Sequence, residues 1–381
     1  MITSRRLLLS LVVVVVSGCA ARTRFRATGE LAGQTVDTTV DSAAAAEYLG
    51  KGPRRSDTTS ESEVTRAVED CEADPDDPWA MECLGQRVSP DFATIDFVAK
   101  LYDRPANKRA QDEFHALVER IGSADASGTA AAPAAFRRYV IAFVPGYAYK
   151  KNADSGADFA AQRRLLGKKG FRTVLIPTDQ AGSVEDNARI VAGGLNRLAE
   201  SEPKILVVSA SKGGPEVARA LAEGLSTKPA ARVKAWISVG GLLRGSPYAD
   251  RFLKGHRRFF AKLGLAFNGL SPIVLDDLST DVRRPAFDSL RLPLGLLTVQ
   301  YVGAPLSGHL SKRSRHRYEL VRSQGPNDGL TLLSDELIEG GVVVTDVGLD
   351  HYFRDPEIDL KTVALAYLVL ERLEGKTTPS S

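Results

Sequence analysis

Residues 205–215 read Ile205-Leu206-Val207-Val208-Ser209-Ala210-Ser211-Lys212-Gly213-Gly214-Pro215. Four branched apolar residues in a row suit a strand buried on both faces, as in a parallel sheet. Small residues then make a tight turn, and Pro215 opens a helical pattern running to about 226, because proline is tolerated in a first helical turn. The same alternation extends outward. Short β-branched runs at 139–144, 173–176, 233–239, 296–302 and 342–347 predict further strands. Helical patterns fall at about 157–168 and at 184–200, the latter opened by Ser183 with Asp186 three residues on. A last helix places Leu360, Val363, Ala364, Tyr367 and Leu368 on one face. Strand, crossover helix and parallel strand in repetition predict an α/β fold over about 136–375, a mainly parallel central sheet flanked by helices.

Composition agrees with a globular chain and excludes several classes of function. Of 381 residues, 43% are apolar and 25% charged, which is ordinary for a packed domain. Fifty basic against 47 acidic side chains leave a formal charge of +3, too balanced for nucleic-acid binding by bulk electrostatics. Three cysteines are too few for a disulfide scaffold.

The turn after residue 209 carries the chemistry. Ser209-Ala210-Ser211-Lys212-Gly213 between a strand and a helix resembles the nucleophile elbow of the α/β-hydrolase family, G-x-S-x-G, with Ser209 in place of the first glycine. A serine hydroxyl needs a base, and the base an orienting acid. Of five histidines, His351 follows the last predicted strand, where this fold places its base; His115, His256, His309 and His316 lie in helical or basic segments and read as structural or solvated. Asn327-Asp328-Gly329-Leu330, some twenty residues earlier, resembles the acid-bearing turn of bacterial triacylglycerol lipases, with Asp276, Asp277 and Asp281 as fallback acids. The resemblance implies a catalytic set of Ser211, Asp328 and His351. It also implies an oxyanion hole from the backbone N–H groups of Lys212 and of Tyr147, in Val144-Pro145-Gly146-Tyr147, where proline stands for the lipases' histidine. The Lys212 side chain is expected to reach solvent, the alternative being that it biases the pocket towards anionic substrates. A further stretch, Ser238 to Asp250 with Arg244-Gly245-Ser246, is similar to a lipase run.

The remaining segments are read as attachments. Residues 1–18 have Arg5 and Arg6 before an apolar stretch from Leu7 to Val16, too short to span a bilayer as a helix, and Val16-Ser17-Gly18-Cys19 resembles the lipobox of bacterial lipoproteins. That implies a signal peptide cut before a lipidated Cys19, membrane attachment through it, and a place in the bacterial cell envelope, the outer membrane where there are two. Residues 19–60 read as a flexible tether and 61–135 as a helical extension and linker. An exported chain makes a Cys71–Cys83 disulfide plausible, with two separate thiols as the alternative. The segment 250–291, mixing Phe252, Phe259, Phe260 and Leu263 with basic residues, reads as a helical lid or cap. The resemblance implies a serine hydrolase of carboxylic esters, lipase- or esterase-like, with no cofactor or metal and an apolar ester as partner. The alternative is a non-catalytic surface lipoprotein on a degenerate hydrolase fold.

Overall fold

The computed structural model describes residues 24–52, 59–71, 75, 77–124, 130–151, 156–253 and 273–375. In chain order β1 (Phe25–Leu31), β2 (Gln34–Val40), α1 (Ala43–Lys51), α2 (Thr59–Asp70), α3 (Pro78–Arg87), α4 (Pro90–Asp103) and α5 (Pro105–Ala124) come first. Then follow β3 (Val140–Val144), α6 (Ala160–Lys168), β4 (Arg172–Leu175), α7 (Val184–Ser201), β5 (Ile205–Ala210), α8 (Gly213–Arg219), α9 (Thr227–Ala230) and β6 (Val233–Val239). The chain finishes with α10 (Pro247–Leu253), α11 (Ile273–Asp277), α12 (Thr280–Asp288), β7 (Leu297–Ala304), α13 (Lys312–Val321), β8 (Val342–Val347) and α14 (Ile358–Leu373).

Strands β3 to β8 form one sheet in the order β4-β3-β5-β6-β7-β8, every pair parallel. The chain leaves β3 for β4 on one side and returns to β5 on the other. That reversal opens a crevice at the carboxyl ends of β3 and β5, where ligands bind in open α/β sheets. Each strand lies within two residues of its sequence pattern. Ser183 caps α7 as its spacing predicts, accepting from the Asp186 N–H at 3.0 Å.

Both sheet faces are covered. Ile141, Phe143, Leu206, Val208 and Ile237 face α5, α6 and α14 in one apolar cluster. Val140, Val207 and Trp236 face α7 and α8 in another. At the β7–β8 end a third cluster joins Val302, Ala304 and Val343 to Phe97 and Leu101 of α4 and to Leu31, Val36 and Val40 of the hairpin.

The tether expected over 19–60 is corrected where the chain is described. β1 and β2 form an antiparallel hairpin, Phe25 opposite Val40, and α1 packs upon it. Apolar alternation is present but sparse: Ala27, Leu31, Val36 and Val40 point inward together with Thr38, while the other threonines and the charges are more exposed. The turn residues Ala32 and Gly33 both take positive φ, the geometry of a two-residue hairpin loop. With Ala, Gly and Thr filling half of the places from 25 to 40, the pattern is easily mistaken for linker. The helical part of the extension is present as α2 to α5, and a Cys71–Cys83 disulfide joins the end of α2 to α3. Residues 1–23, with Cys19, lie outside the described residues, as do 254–272 of the expected lid, His256 among them.

Nor is the extension separate from the sheet. β8 is an edge strand, and side-chain amides occupy its open edge. Asn107 Oδ1 accepts from the Val343 N–H at 2.9 Å, Gln111 Oε1 from Thr345 at 2.8 Å and Gln34 Oε1 from Val347 at 3.1 Å. Gln111 and Gln34 also donate to the Thr345 carbonyl at 3.0 and 2.9 Å. An unpaired edge invites foreign strands; here three amides stand in for a missing neighbour. Gln111→Leu strands the buried Thr345 N–H, so we expect a loss of about 2 kcal/mol in urea unfolding. A loss below about 0.5 kcal/mol would contradict this account of the edge.

Candidate active site

Ser211 is held between β5 and α8 at φ 52°, a left-handed backbone that costs a side-chain-bearing residue roughly 1–2 kcal/mol. Its N–H donates to the Val239 carbonyl at 3.0 Å, and its carbonyl accepts from Gly214 at 2.9 Å and Leu242 at 3.1 Å. The turn leaves no space at Gly213, where a Cβ would stand 2.8 Å from the Pro145 carbonyl oxygen. Ser209 at the first glycine position is accommodated because its side chain turns to the opposite sheet face. There its buried hydroxyl accepts from Trp236 Nε1 at 2.9 Å.

His351 lies just past β8 and meets both predicted partners. Its Nε2 is 3.0 Å from Ser211 Oγ and its Nδ1 is 2.5 Å from Asp328 Oδ2. The backbone repeats the link, His351 N–H donating to the Asp328 carbonyl at 3.0 Å. Asp328 is fully buried in a turn whose Leu330 and Thr331 N–H groups donate to Oδ1 at 2.8 and 2.9 Å, leaving Oδ2 for the imidazole. A carboxylate cannot donate, so Nδ1 carries the ring proton and Nε2 is free to accept from the serine. The Ser238–Asp250 stretch anchors this turn: Ser246 Oγ donates to the Leu330 carbonyl at 2.6 Å, and Thr331 Oγ1 donates to the Gly245 carbonyl at 2.7 Å. Nearby, buried Glu336 has no partner for either carboxyl oxygen among the described residues; burial first, then the negative Asp328, push its pKa well above the usual range.

The backbone N–H groups of Tyr147 and Lys212 flank this serine and donate to no acceptor among the described residues. Gly146, between Pro145 and Tyr147, ties its loop down by donating to the Ala157 carbonyl at 2.9 Å. The Lys212 side chain corrects the expectation of solvent. It is buried on the α7 side of the elbow and pairs with Glu216, which also accepts from Asn187 Nδ2 at 2.7 Å. Burial pushes the Glu216 carboxyl up to about 7 even beside the Lys212 ammonium. A side chain four residues along a helix lies on the same face, and both positions face inward here.

Ser211 and His351 open onto a cavity of about 900 Å³ whose walls are the sheet face, α6, α14 and the residues Tyr147, Gly156, Ala157 and Phe159. The Tyr147 hydroxyl, pushed up to about 12 by burial, and Gln162 Oε1 are buried wall atoms without partners among the described residues. The other candidates lie elsewhere. Asp277 accepts from the Val184 N–H at 2.6 Å and pairs with Arg283. His115 meets Gln111 at 2.9 Å, and His316 is exposed. His309, expected in solvent, is half-buried against Gly348, and burial lowers its pKa. Arg317 was missed, because nothing in a run of basic residues marks it. It lines the cavity, donates to the Tyr352 hydroxyl, and lies 5.4 Å from the Tyr248 ring centre. Among the described residues no group of three ligating side chains could hold a metal.

Lys212→Met leaves Glu216 buried without its cation, and we expect about 3 kcal/mol of lost stability. Adding Glu216→Leu should restore most of it, since Asn187 keeps its bonds to Asp179. Urea unfolding of both variants measures the difference, and a silent Lys212→Met would overturn the expectation.

No family model matches the chain, and no curated protein sequence matches it. Solved structures do. The metagenomic carboxyl esterase MGS0156 superposes at a TM-score of 0.58 with 20% identity, over 70% of this chain and 95% of that one. Bacillus licheniformis lipase BlEst2, in mature form, matches at a TM-score of 0.48 and 20% identity, over 61% of this chain and 90% of that one. A parallel sheet in the order β4-β3-β5-β6-β7-β8, flanked by helices and carrying a left-handed serine after β5, is the α/β-hydrolase fold, and this chain has it.

Proposed function

We propose that the protein is a serine hydrolase that cleaves carboxylic esters through an acyl-enzyme. The observation that carries this reading is the unbroken chain Ser211 Oγ, His351 Nε2, His351 Nδ1, Asp328 Oδ2, with links of 3.0 and 2.5 Å, at the mouth of a largely apolar cavity. The superposed carboxyl esterase supports esters as the bond cleaved. The features that favoured a non-catalytic chain, Ser209 and Lys212, carry their side chains away from the cavity.

Ser211 Oγ attacks the ester carbonyl as His351 Nε2 takes its proton, and Asp328 stabilises the imidazolium. The carbonyl oxygen becomes an oxyanion, received by the N–H groups of Lys212 and Tyr147, each donor contributing about 2.7–4 kcal/mol in comparable sites. His351 then gives its proton to the departing alcohol oxygen. Water, activated by the same imidazole, attacks the acyl-enzyme, and the acid leaves as Ser211 regains its proton. We further propose that the mature chain is held to the bacterial cell envelope by lipid on Cys19; supporting this are the basic and apolar residues preceding Val16-Ser17-Gly18-Cys19.

Ser211→Ala should abolish ester hydrolysis and labelling by a fluorophosphonate. Asp328→Asn should keep the fold and lower kcat about 10⁴-fold, since the amide favours the wrong tautomer. Undiminished labelling of Ser211→Ala would refute the nucleophile. Cys19→Ala should move the protein from the membrane to the soluble fraction, and unchanged sedimentation would refute the anchor.

A further inference from the structure

Resting on the ester-hydrolase reading, we propose that the cavity beneath Ser211 is an acyl-chain site, built into the layer between the sheet and α14, that takes a chain of about six to ten carbons. Phe143, Val208 and Ile237 form one wall; Leu166 of α6 with Leu365 and Ala366 of α14 form the other. Side chains ordinarily fill a sheet–helix interface to crystal-like density. Here small residues hold it open, Ala210 on the strand and Thr362 and Ala366 on the helix.

The depth follows from the elements. From Ala210 to Leu206 the strand descends four residues, about 13 Å at ~3.3 Å each. Leu206 and its neighbour Ile141, both fully buried, are the deepest strand residues lining the cavity and form its floor. Along α14, Ile358 to Ala366 covers about 12 Å at ~1.5 Å per residue. An extended chain of C–C bonds near 1.5 Å advances roughly 1.3 Å per carbon, so about six to ten carbons reach the floor. The carbonyl stays at the rim beside Ser211 and His351. The alcohol half receives its proton from His351 at this rim, and the proposal assigns the acid half to the cavity.

Esters of one alcohol with acids of two to sixteen carbons test this on the full-length chain. We expect kcat/KM to rise about fourfold per methylene, the value for about 0.8 kcal/mol per buried CH₂, until the chain meets the floor, and then to level or fall. Ala366→Phe should lower the eight-carbon to two-carbon preference at least tenfold, and Leu206→Ala should move the optimum to longer chains. A flat profile, a rise continuing to sixteen carbons, or a preference untouched by Ala366→Phe would overturn the site. A measurement independent of chemistry uses Ser211→Ala, which keeps the cavity: by calorimetry it should bind octanoate at least thirtyfold more tightly than butanoate, and equal affinities would overturn the site whether or not Ala366→Phe folds. An inert wild-type chain that still prefers octanoate would refute the hydrolase reading and leave the acyl site standing.

Discussion

Everything near the cavity depends on one residue held in a conformation its side chain disfavours. Ser211 sits at positive φ because strand β5 ends against helix α8 with no room for an ordinary bend. The surroundings maintain it: Val239, Gly214 and Leu242 bond its backbone, and Gly213 lets the helix approach the Pro145 carbonyl. The strain lifts the hydroxyl out of the sheet into the crevice beside the reversal of strand order. Once it is there, His351 and Asp328 need only be brought to the same edge by β8 and by the turn before it.

That turn shows how distant sequence is recruited to hold two atoms. Asp328 is fixed by its own neighbours' N–H groups, and Ser246 and Thr331 pin its loop to the segment following β6. His351 is held by both the side chain and the carbonyl of Asp328. Burial holds the nearby Glu336 carboxyl well above its usual pKa. The buried Lys212–Glu216 pair does for the other side of the elbow what Asp328 does for the imidazole, fixing the start of α8.

Much of this was legible because buried parallel strands and sharp turns leave coarse signals. Runs such as 205–209 and 342–347 have no competing reading at their length, and small residues around Ser211 follow from sterics. The first hairpin was illegible because only Ala27, Leu31, Val36 and Val40 mark its inner face among threonines. Lys212 misled because a lone lysine reads as solvated, and only the fold brings Glu216 and Asn187 to it. Arg317 and the small residues of α14 carry no local signal at all; their meaning is the space they border.

The amide groups along β8 also bear on how this chain can be divided. Asn107, Gln111 and Gln34 all precede residue 136, yet the strand they satisfy lies near the other terminus. A fragment trimmed to the catalytic layer would keep every reactive side chain and expose a bare β-ribbon. Its natural fate is to recruit a second such ribbon, so oligomers and precipitate would follow from the trimming itself, with the chemistry intact.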